Sequence, residues 1–109
     1  MGESLQLGSI IATRKLTFTH ADASVEAVTL MIGVPVSDGA DDWICPYLVK
    51  AESFQKFFRM TGVDSMQALI HTVSVLQDEL SALARKHVGT FQYLDGEDLM
   101  LANPLRRSD

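Results

Sequence analysis

The segment from Gly62 to Gly89 constrains the fold more than any other part of the chain. It reads GVDSMQALIHTVSVLQDELSALARKHVG. Asp64 suits the N-cap of a helix, because its carboxylate can accept hydrogen bonds from the free N–H groups of the first turn. Gln67 stands three residues later and completes a capping box. The basic residues 85–87 near the end of the segment would interact favourably with the negative end of the helix dipole. Gly89 can supply the left-handed residue that ends the helix.

Apolar residues recur in this segment at alternating spacings of three and four, which places them on one face of a helix. They are Met66, Leu69, Ile70, Val73, Leu76, Leu80, Leu83 and Ala84. This stripe predicts a helix that packs on the rest of the protein. A coiled-coil seam is the alternative, but the stripe is short and the remaining chain has the pattern of strands.

Alternating polar and β-branched residues before the helix predict four strands, at residues 10–20, 25–36, 43–50 and 52–60. Pro46 cannot donate to a ladder, so its strand is expected to be an edge or to carry a bulge at this point. A fifth short strand is expected at residues 90–94. The pattern predicts an α+β fold, an antiparallel four- to five-stranded meander sheet with one long amphipathic helix packed on one face, in two layers. Residues 10–103 form the single domain, between tails at 1–9 and 104–109.

Composition limits the class of protein. Apolar residues make up 47% of the 109, and the net charge is −5 with a pI near 5.0. Lysine and arginine are few and scattered in pairs, which argues against nucleic-acid binding. No apolar run approaches the length of a membrane span, and a single cysteine, Cys45, fits a reducing compartment. The expected location is the cytoplasm, with no membrane partner.

Residues that could carry chemistry are few. The three histidines, His20, His71 and His87, have no metal-ligand spacing. Cys45 lies within a predicted strand between Trp43 and Pro46, which indicates burial rather than catalysis. We therefore expect no catalytic residue, no metal and no cofactor.

Two other groups of residues are candidates for binding. Acidic side chains in two predicted turns would form a rim for a basic protein partner: Asp38, Asp41, Asp42, Asp95, Glu97 and Asp98. Aromatic and basic side chains could instead line a cleft between sheet and helix: Arg14, Trp43, Tyr47, Lys56 and Phe58, with Phe54 and Arg59 beside them. Both groups also have ordinary roles in turns and in the core.

Four short stretches, RKLTF, IGVP, WICPY and GVDSMQAL, together resemble a family of small bacterial proteins defined as a domain of unknown function. The resemblance spans residues 14–98, and its motifs are W-x-C-P followed by G-x-D-x-x-Q-A-L. It implies strands followed by a helix, and it implies no activity. The matching positions are Trp43, Cys45, Pro46, Gly62, Asp64, Gln67, Ala68 and Leu69.

Two functions from different classes fit these features. The first is a non-enzymatic, small acidic binding module, most concretely a neutraliser of the immunity-protein type whose partner is another protein. A homodimer through an edge strand near Pro46 is a further option. The alternative is a small-molecule-binding protein or small enzyme that uses the cleft. A structural subunit is a third class, which a large uncovered apolar patch would favour.

Overall fold

One long helix lies on one face of a curled antiparallel sheet in the computed structural model, which describes residues 7–101. The predicted α+β fold with two layers is confirmed. The elements, in chain order, are β1 (Ile10–His20), β2 (Val25–Gly33), β3 (Val36–Ser37), β4 (Trp43–Ala51), β5 (Gln55–Gly62), α1 (Ser65–His87) and β6 (Gly89–Gln92).

The sheet is a meander to which a strand that follows the helix is added at the edge beside β1. Strands β1, β2, β4 and β5 each pair with the next, and β6 pairs with the other side of β1. The two-residue strand β3 continues β2 along the same side of β4. Within residues 7–101, β5, β6 and the short β3 each pair with another strand on one side only.

Pro46 lies in a central strand, so its prediction at an edge is wrong. Its strand, β4, has β5 on one side and both β2 and β3 on the other. The neighbouring chain is interrupted between Gly33 and Val36, beside Pro46, and one extra residue is accommodated there. A residue without an N–H is tolerated where the ladder is already broken. The predicted bulge is therefore not in the strand of Pro46, which pairs with β5 in an unbroken register; the extra residue lies in the segment opposite, between β2 and β3.

The core lies between the helix and the inward-facing residues of the strands. Alternate side chains are buried in the second half of β1, in β2 and in β4, as the period of a strand requires, and Pro46 is buried between two of them. The fully buried set with the largest side chains is Tyr47, Phe18, Leu76, Leu80, Val28, Val49, Thr72 and Cys45. The helix buries Leu76, Leu80 and Leu83 as predicted, together with Ala68 and Thr72. Met66, the first residue of the predicted stripe, is 69% exposed, and the helix first buries a side chain at Ala68.

The capping of α1 follows the prediction at its start and differs at its end. Asp64 accepts a hydrogen bond from the backbone N–H of Gln67 at 2.7 Å, and the Gln67 side chain accepts one from the N–H of Val63 at 2.8 Å. The left-handed residue that ends the helix is Val88, with φ of 54°, rather than Gly89. Gly89 instead begins β6, where any side chain would collide with the ring of Phe18.

Several boundaries also differ from the prediction. A tight turn, closed by the Ala51 N–H and the Phe54 carbonyl at 2.9 Å, delays β5 until Gln55. Reciprocal backbone hydrogen bonds between Tyr93 and Gly96 end β6 early. The N-terminal tail lies partly in the described residues, where the Ser9 carbonyl accepts a hydrogen bond from Val34 at 2.8 Å. Residues 1–6 and the predicted tail 104–109 lie outside them, as does the predicted domain end at 103.

Candidate partner-binding site

Exposed apolar side chains concentrate at one end of the sheet. The start of β1, the end of β2, the start of β4, the end of β5 and the start of α1 meet there. Five of the ten large apolar side chains that are exposed within residues 7–101 lie at this end: Ile10, Ile11, Val36, Val63 and Met66. An apolar surface that the fold leaves uncovered is a common mark of an interaction site.

A shallow cleft of about 420 Å³ opens at the same end, lined by Val34, Pro35, Trp43, Ser65, Met66 and Leu69. The acidic turn between β3 and β4 adjoins it, because Asp42 directly precedes Trp43. The N-cap Asp64 directly precedes Ser65 on the other side. We call this surface the apolar–acidic end: the cleft residues, Val36 and Val63, with Asp38, Asp41, Asp42 and Asp64 around them.

The two predicted acidic turns do not form one rim. Asp38 supports its own turn, since it accepts a hydrogen bond from the N–H of Ala40 at 2.8 Å, whereas Asp41 and Asp42 are simply exposed. Asp95, Glu97 and Asp98 follow β6 at the far edge of the sheet, with β1 and β2 in between. Asp98 accepts from the N–H of Met100 at 2.9 Å and so shapes its own turn. Within residues 7–101, no group of three metal-ligating side chains is present.

The predicted cleft residues separate into different surroundings, since Arg14, Trp43 and Phe58 line three different clefts. Tyr47, Lys56 and Phe58 do lie together, because the centre of the Phe58 ring is 6.4 Å from that of Tyr47 and 5.7 Å from the Lys56 ammonium. Tyr47 and Lys56 both contact Glu79, a residue that sequence reasoning missed. The Tyr47 hydroxyl donates to Glu79 at 3.0 Å, and the Lys56 ammonium lies 3.6 Å from the same carboxylate. Burial first, and then the nearby Glu79 charge, raise the pKa of Tyr47.

The sequence does contain a pattern that predicts the position of Glu79. It lies three residues after Leu76 and four before Leu83, so helical periodicity places it on the edge of the buried stripe. A carboxylate at such a position needs a partner from the facing element.

Arg14 holds the chain that follows β6. One guanidinium nitrogen donates to the carbonyls of Leu99 and Met100, each at 3.0 Å, and the guanidinium stacks 4.4 Å from the ring centre of Tyr93. A cleft of about 120 Å³ lies between this region, β2 and the helix. Its other walls are apolar: Ala12, Leu30, Ile32, Val73, Leu76 and Leu101, with Thr13 at one side.

The histidines serve three separate contacts. His20 lies 2.5 Å from the carboxylate of Glu26, His71 bonds to the Thr61 carbonyl at 2.8 Å, and the ring of His87 stacks on Phe54. Cys45 is buried, and desolvation raises the pKa of its thiol, which disfavours the reactive thiolate.

Glu26 is the second residue that sequence reasoning missed. Its carboxylate accepts hydrogen bonds from the N–H groups of Glu52 and Ser53, at 2.9 and 3.0 Å, and from the Ser53 hydroxyl. The Ser53 hydroxyl and then His20 lower the pKa of Glu26 to about 2. This carboxylate ties the turn after β4 to the end of the β1–β2 hairpin.

The residues of the two sequence motifs converge beside the apolar–acidic end. Trp43 pairs with Gly62 across β4 and β5. Any side chain at Gly62 would collide with the backbone of Ala68, so glycine allows the helix to start against the strand. The family model described as a domain of unknown function, DUF6968, matches residues 12–103.

The chain belongs to the DUF6968 family. This confirms that the resemblance is to a domain of unknown function. No curated protein matches the chain, and no solved structure matches it. No helix within residues 7–101 is long and apolar enough to cross a membrane.

Proposed function

We propose that this DUF6968 protein is a non-enzymatic binding module whose partner is a basic protein, held at the apolar–acidic end. The observation that carries the proposal is the coincidence of the apolar cleft with the acidic turn between β3 and β4. Apolar contacts supply most of the affinity in such interfaces, and charges at the rim supply specificity and speed of association.

Large apolar side chains give the site its anchor. Met66 and Val63 are 69% and 68% exposed. Met66 lines the cleft together with the half-buried Trp43, and Val63 directly follows Gly62, the strand partner of Trp43. Methionine and tryptophan adapt to and fill a partner's surface, and they are enriched at interfaces. An aromatic or aliphatic side chain of the partner would enter the cleft between Trp43 and Met66.

The charges around the cleft favour a basic partner. Asp38, Asp41, Asp42 and Asp64 all lie within a few residues of the cleft lining, and the whole chain carries a net charge of −5. Long-range attraction of a basic surface by such a field speeds association and weakens as salt rises.

The most concrete form of this function is neutralisation, in which a small acidic protein occludes a toxic partner in the manner of immunity proteins. The size and acidity of the chain support this form, and its one cysteine supports a cytoplasmic location. We also propose that the family is bacterial, in keeping with neutralisation of this kind.

Pull-down from the native host at low and then moderate salt, read by mass spectrometry, tests the proposal. We expect one stoichiometric basic partner that is released as salt rises. Asp41→Lys and Met66→Ser should each abolish its capture, because both side chains are exposed and their replacement spares the core.

Glu97→Lys is the matched control. It makes the same change of charge in the second acidic turn, at the far edge of the sheet, and should leave capture intact. If Glu97→Lys abolishes capture as fully as Asp41→Lys does, the partner responds to the net charge of the chain and not to this site. Unchanged capture by Asp41→Lys and Met66→Ser would refute this site.

The cleft beside Arg14 favours a second candidate function, the binding of a small apolar molecule. Its volume of about 120 Å³ suits a ligand of a few carbon atoms, and its walls are mostly aliphatic. A thermal-shift screen with short aliphatic acids and alcohols tests it. Val73→Phe, which fills the cleft, should abolish any shift.

A further inference from the structure

The strand β5 has one unpaired edge. It pairs with β4 over residues from Gln55 to Gly62, and no other strand within residues 7–101 pairs with it. His71 bonds to the Thr61 carbonyl near the end of the strand. A cleft of about 410 Å³ runs along Phe58, Arg59, Met60 and Thr61. The remaining backbone of this edge can pair with an added strand.

The edge is positively charged in an acidic protein. β5 contains Lys56 and Arg59 and no carboxylate. On the face of the sheet turned away from the helix, the strands present Lys15, Lys50 and Arg59 and no acidic side chain. The one carboxylate on a described strand, Glu26, is bound to the β4–β5 turn on the other face. This polarity selects an acidic ligand.

The side chains at the edge form a short pattern: Lys56, Phe57, Phe58 and Arg59 read basic, aromatic, aromatic, basic. Phe57 lies on the open face beside Leu48, and Phe58 lies on the helix side, 51% exposed. Lys56 contacts Glu79 at 3.6 Å, yet its side chain stays 42% exposed. Each of the four side chains can therefore meet a side chain directly opposite on an added strand.

We propose that the free edge of β5 binds an extended acidic segment of a partner protein, with the pattern acidic, apolar, apolar, acidic opposite Lys56 to Arg59. The pattern is the same in both directions, so a parallel or an antiparallel strand satisfies it. This surface is separate from the apolar–acidic end, and the proposal does not depend on the function proposed above.

A second copy of the chain fits this edge poorly. Two-fold antiparallel pairing of this edge with itself joins side chains of the same face, so Lys56 can meet Lys56 or Phe58 of the second copy according to the register. No register sets a carboxylate opposite Lys56 or Arg59, because β5 contains none. Like charges directly opposite each other destabilise a strand pair. This edge therefore favours an acidic ligand over a second copy of the chain.

A titration of the ¹⁵N-labelled full chain with two capped synthetic peptides tests the proposal. The first is Ser-Thr-Glu-Val-Val-Glu-Thr-Ser, and the second replaces both glutamates with lysine. We expect saturable shifts in the β5 amides, with the glutamate peptide binding about tenfold more tightly, because it gains two charge pairs where the other has two repulsions.

Variants locate the contact. Arg59→Glu should lower the affinity for the glutamate peptide about three- to tenfold. It should raise the affinity for a peptide in which one glutamate is replaced by lysine. Lys15→Glu, the same change three strands away on the same face, should leave binding unchanged, as should Asp41→Lys.

Three results would overturn the proposal. The first is that neither peptide shifts the β5 amides, and the second is that both peptides bind equally. The third is that sedimentation shows a dimer of the free protein that Arg59→Glu disrupts, since the edge would then belong to a second copy.

Discussion

The replacement Tyr47→Phe removes a single hydrogen bond between the sheet and the helix. The Tyr47 side chain is completely buried, and its hydroxyl donates to Glu79 at 3.0 Å across the interface between β4 and α1. Phenylalanine fills the same space, so the change removes the donor and leaves the packing unaltered. The Glu79 carboxylate, 15% exposed and 3.6 Å from Lys56, retains its other contacts.

The expected loss follows from the charge of the acceptor. A hydrogen bond to an ionised group contributes about 1.5–3 kcal/mol, and partial access of Glu79 to water and to Lys56 reduces this. We expect the free energy of unfolding to fall by about 1.5 kcal/mol at pH 8, which corresponds to a melting temperature lower by about 6–10 °C for a domain of this size.

The difference in free energy of unfolding between the wild type and Tyr47→Phe should become smaller at alkaline pH. The folded pKa of Tyr47 is raised above its unfolded value of about 10, so the wild-type chain has the full stability from this group below pH 10. Above pH 10 the unfolded state ionises and the folded state does not, which costs the wild type about 1.4 kcal/mol by pH 11. Phenylalanine has no such group, so the two proteins should be nearly equally stable there.

Urea unfolding at pH 8 and at pH 11 measures both effects. Tyr93→Phe is the matched control, because it removes the same hydroxyl from a ring that retains its contact with Arg14, and it should cost less than about 0.5 kcal/mol. A Tyr47→Phe protein as stable as the wild type at pH 8, or a deficit that does not change with pH, would refute the reasoning.

Three further predictions concern the fold. Glu26→Gln should lower the free energy of unfolding by about 1 kcal/mol at pH 7. Because the folded pKa of Glu26 is lowered to about 2, its contribution is lost as pH falls from about 4.5 towards 2, so acid titrations of the variant and the wild type should converge. Val88→Gly should raise stability by about 0.5–1 kcal/mol in chemical unfolding, because a β-branched residue is strained at φ of 54°. Arg14→Ala should speed amide hydrogen exchange in residues 99–101 while Lys15→Ala does not, and equal rates would contradict the role given to Arg14.

Local patterns were sufficient for most of the secondary structure. β1 has the bounds that its alternation predicts, and Asp64 with Gln67 marks the start of the helix correctly, because both signals depend on neighbours in the chain. Strand ends were less predictable. The segment 30–36 is apolar on both faces, which hid the end of β2 at Gly33, and β5 begins at Gln55 because the preceding residues close a turn.

The candidate sites show where local reasoning stops. The six acidic residues are alike in sequence, but one turn adjoins an apolar cleft and the other lies across the sheet beside β6. The roles of Glu79 and Glu26 depend on residues distant in sequence, in β4 and in the turn that follows it. Their partners, Tyr47 and Ser53, are 32 and 27 residues away, so no local pattern connects them.

The sequence by itself determined the fold class, the long helix and five of the six strands in their order along the chain, because hydrophobic period, capping and turn residues act over a few neighbours. Tertiary structure decided which strand is an edge, which side of the sheet stays open and which charges meet. Pro46 illustrates the difference: the missing N–H predicts an irregularity, but only the pairing of β4 with β2, β3 and β5 shows that it lies at the centre of the sheet. Strand neighbours and exposed faces depend on contacts far apart in the chain, and these appear only when the whole core is assembled.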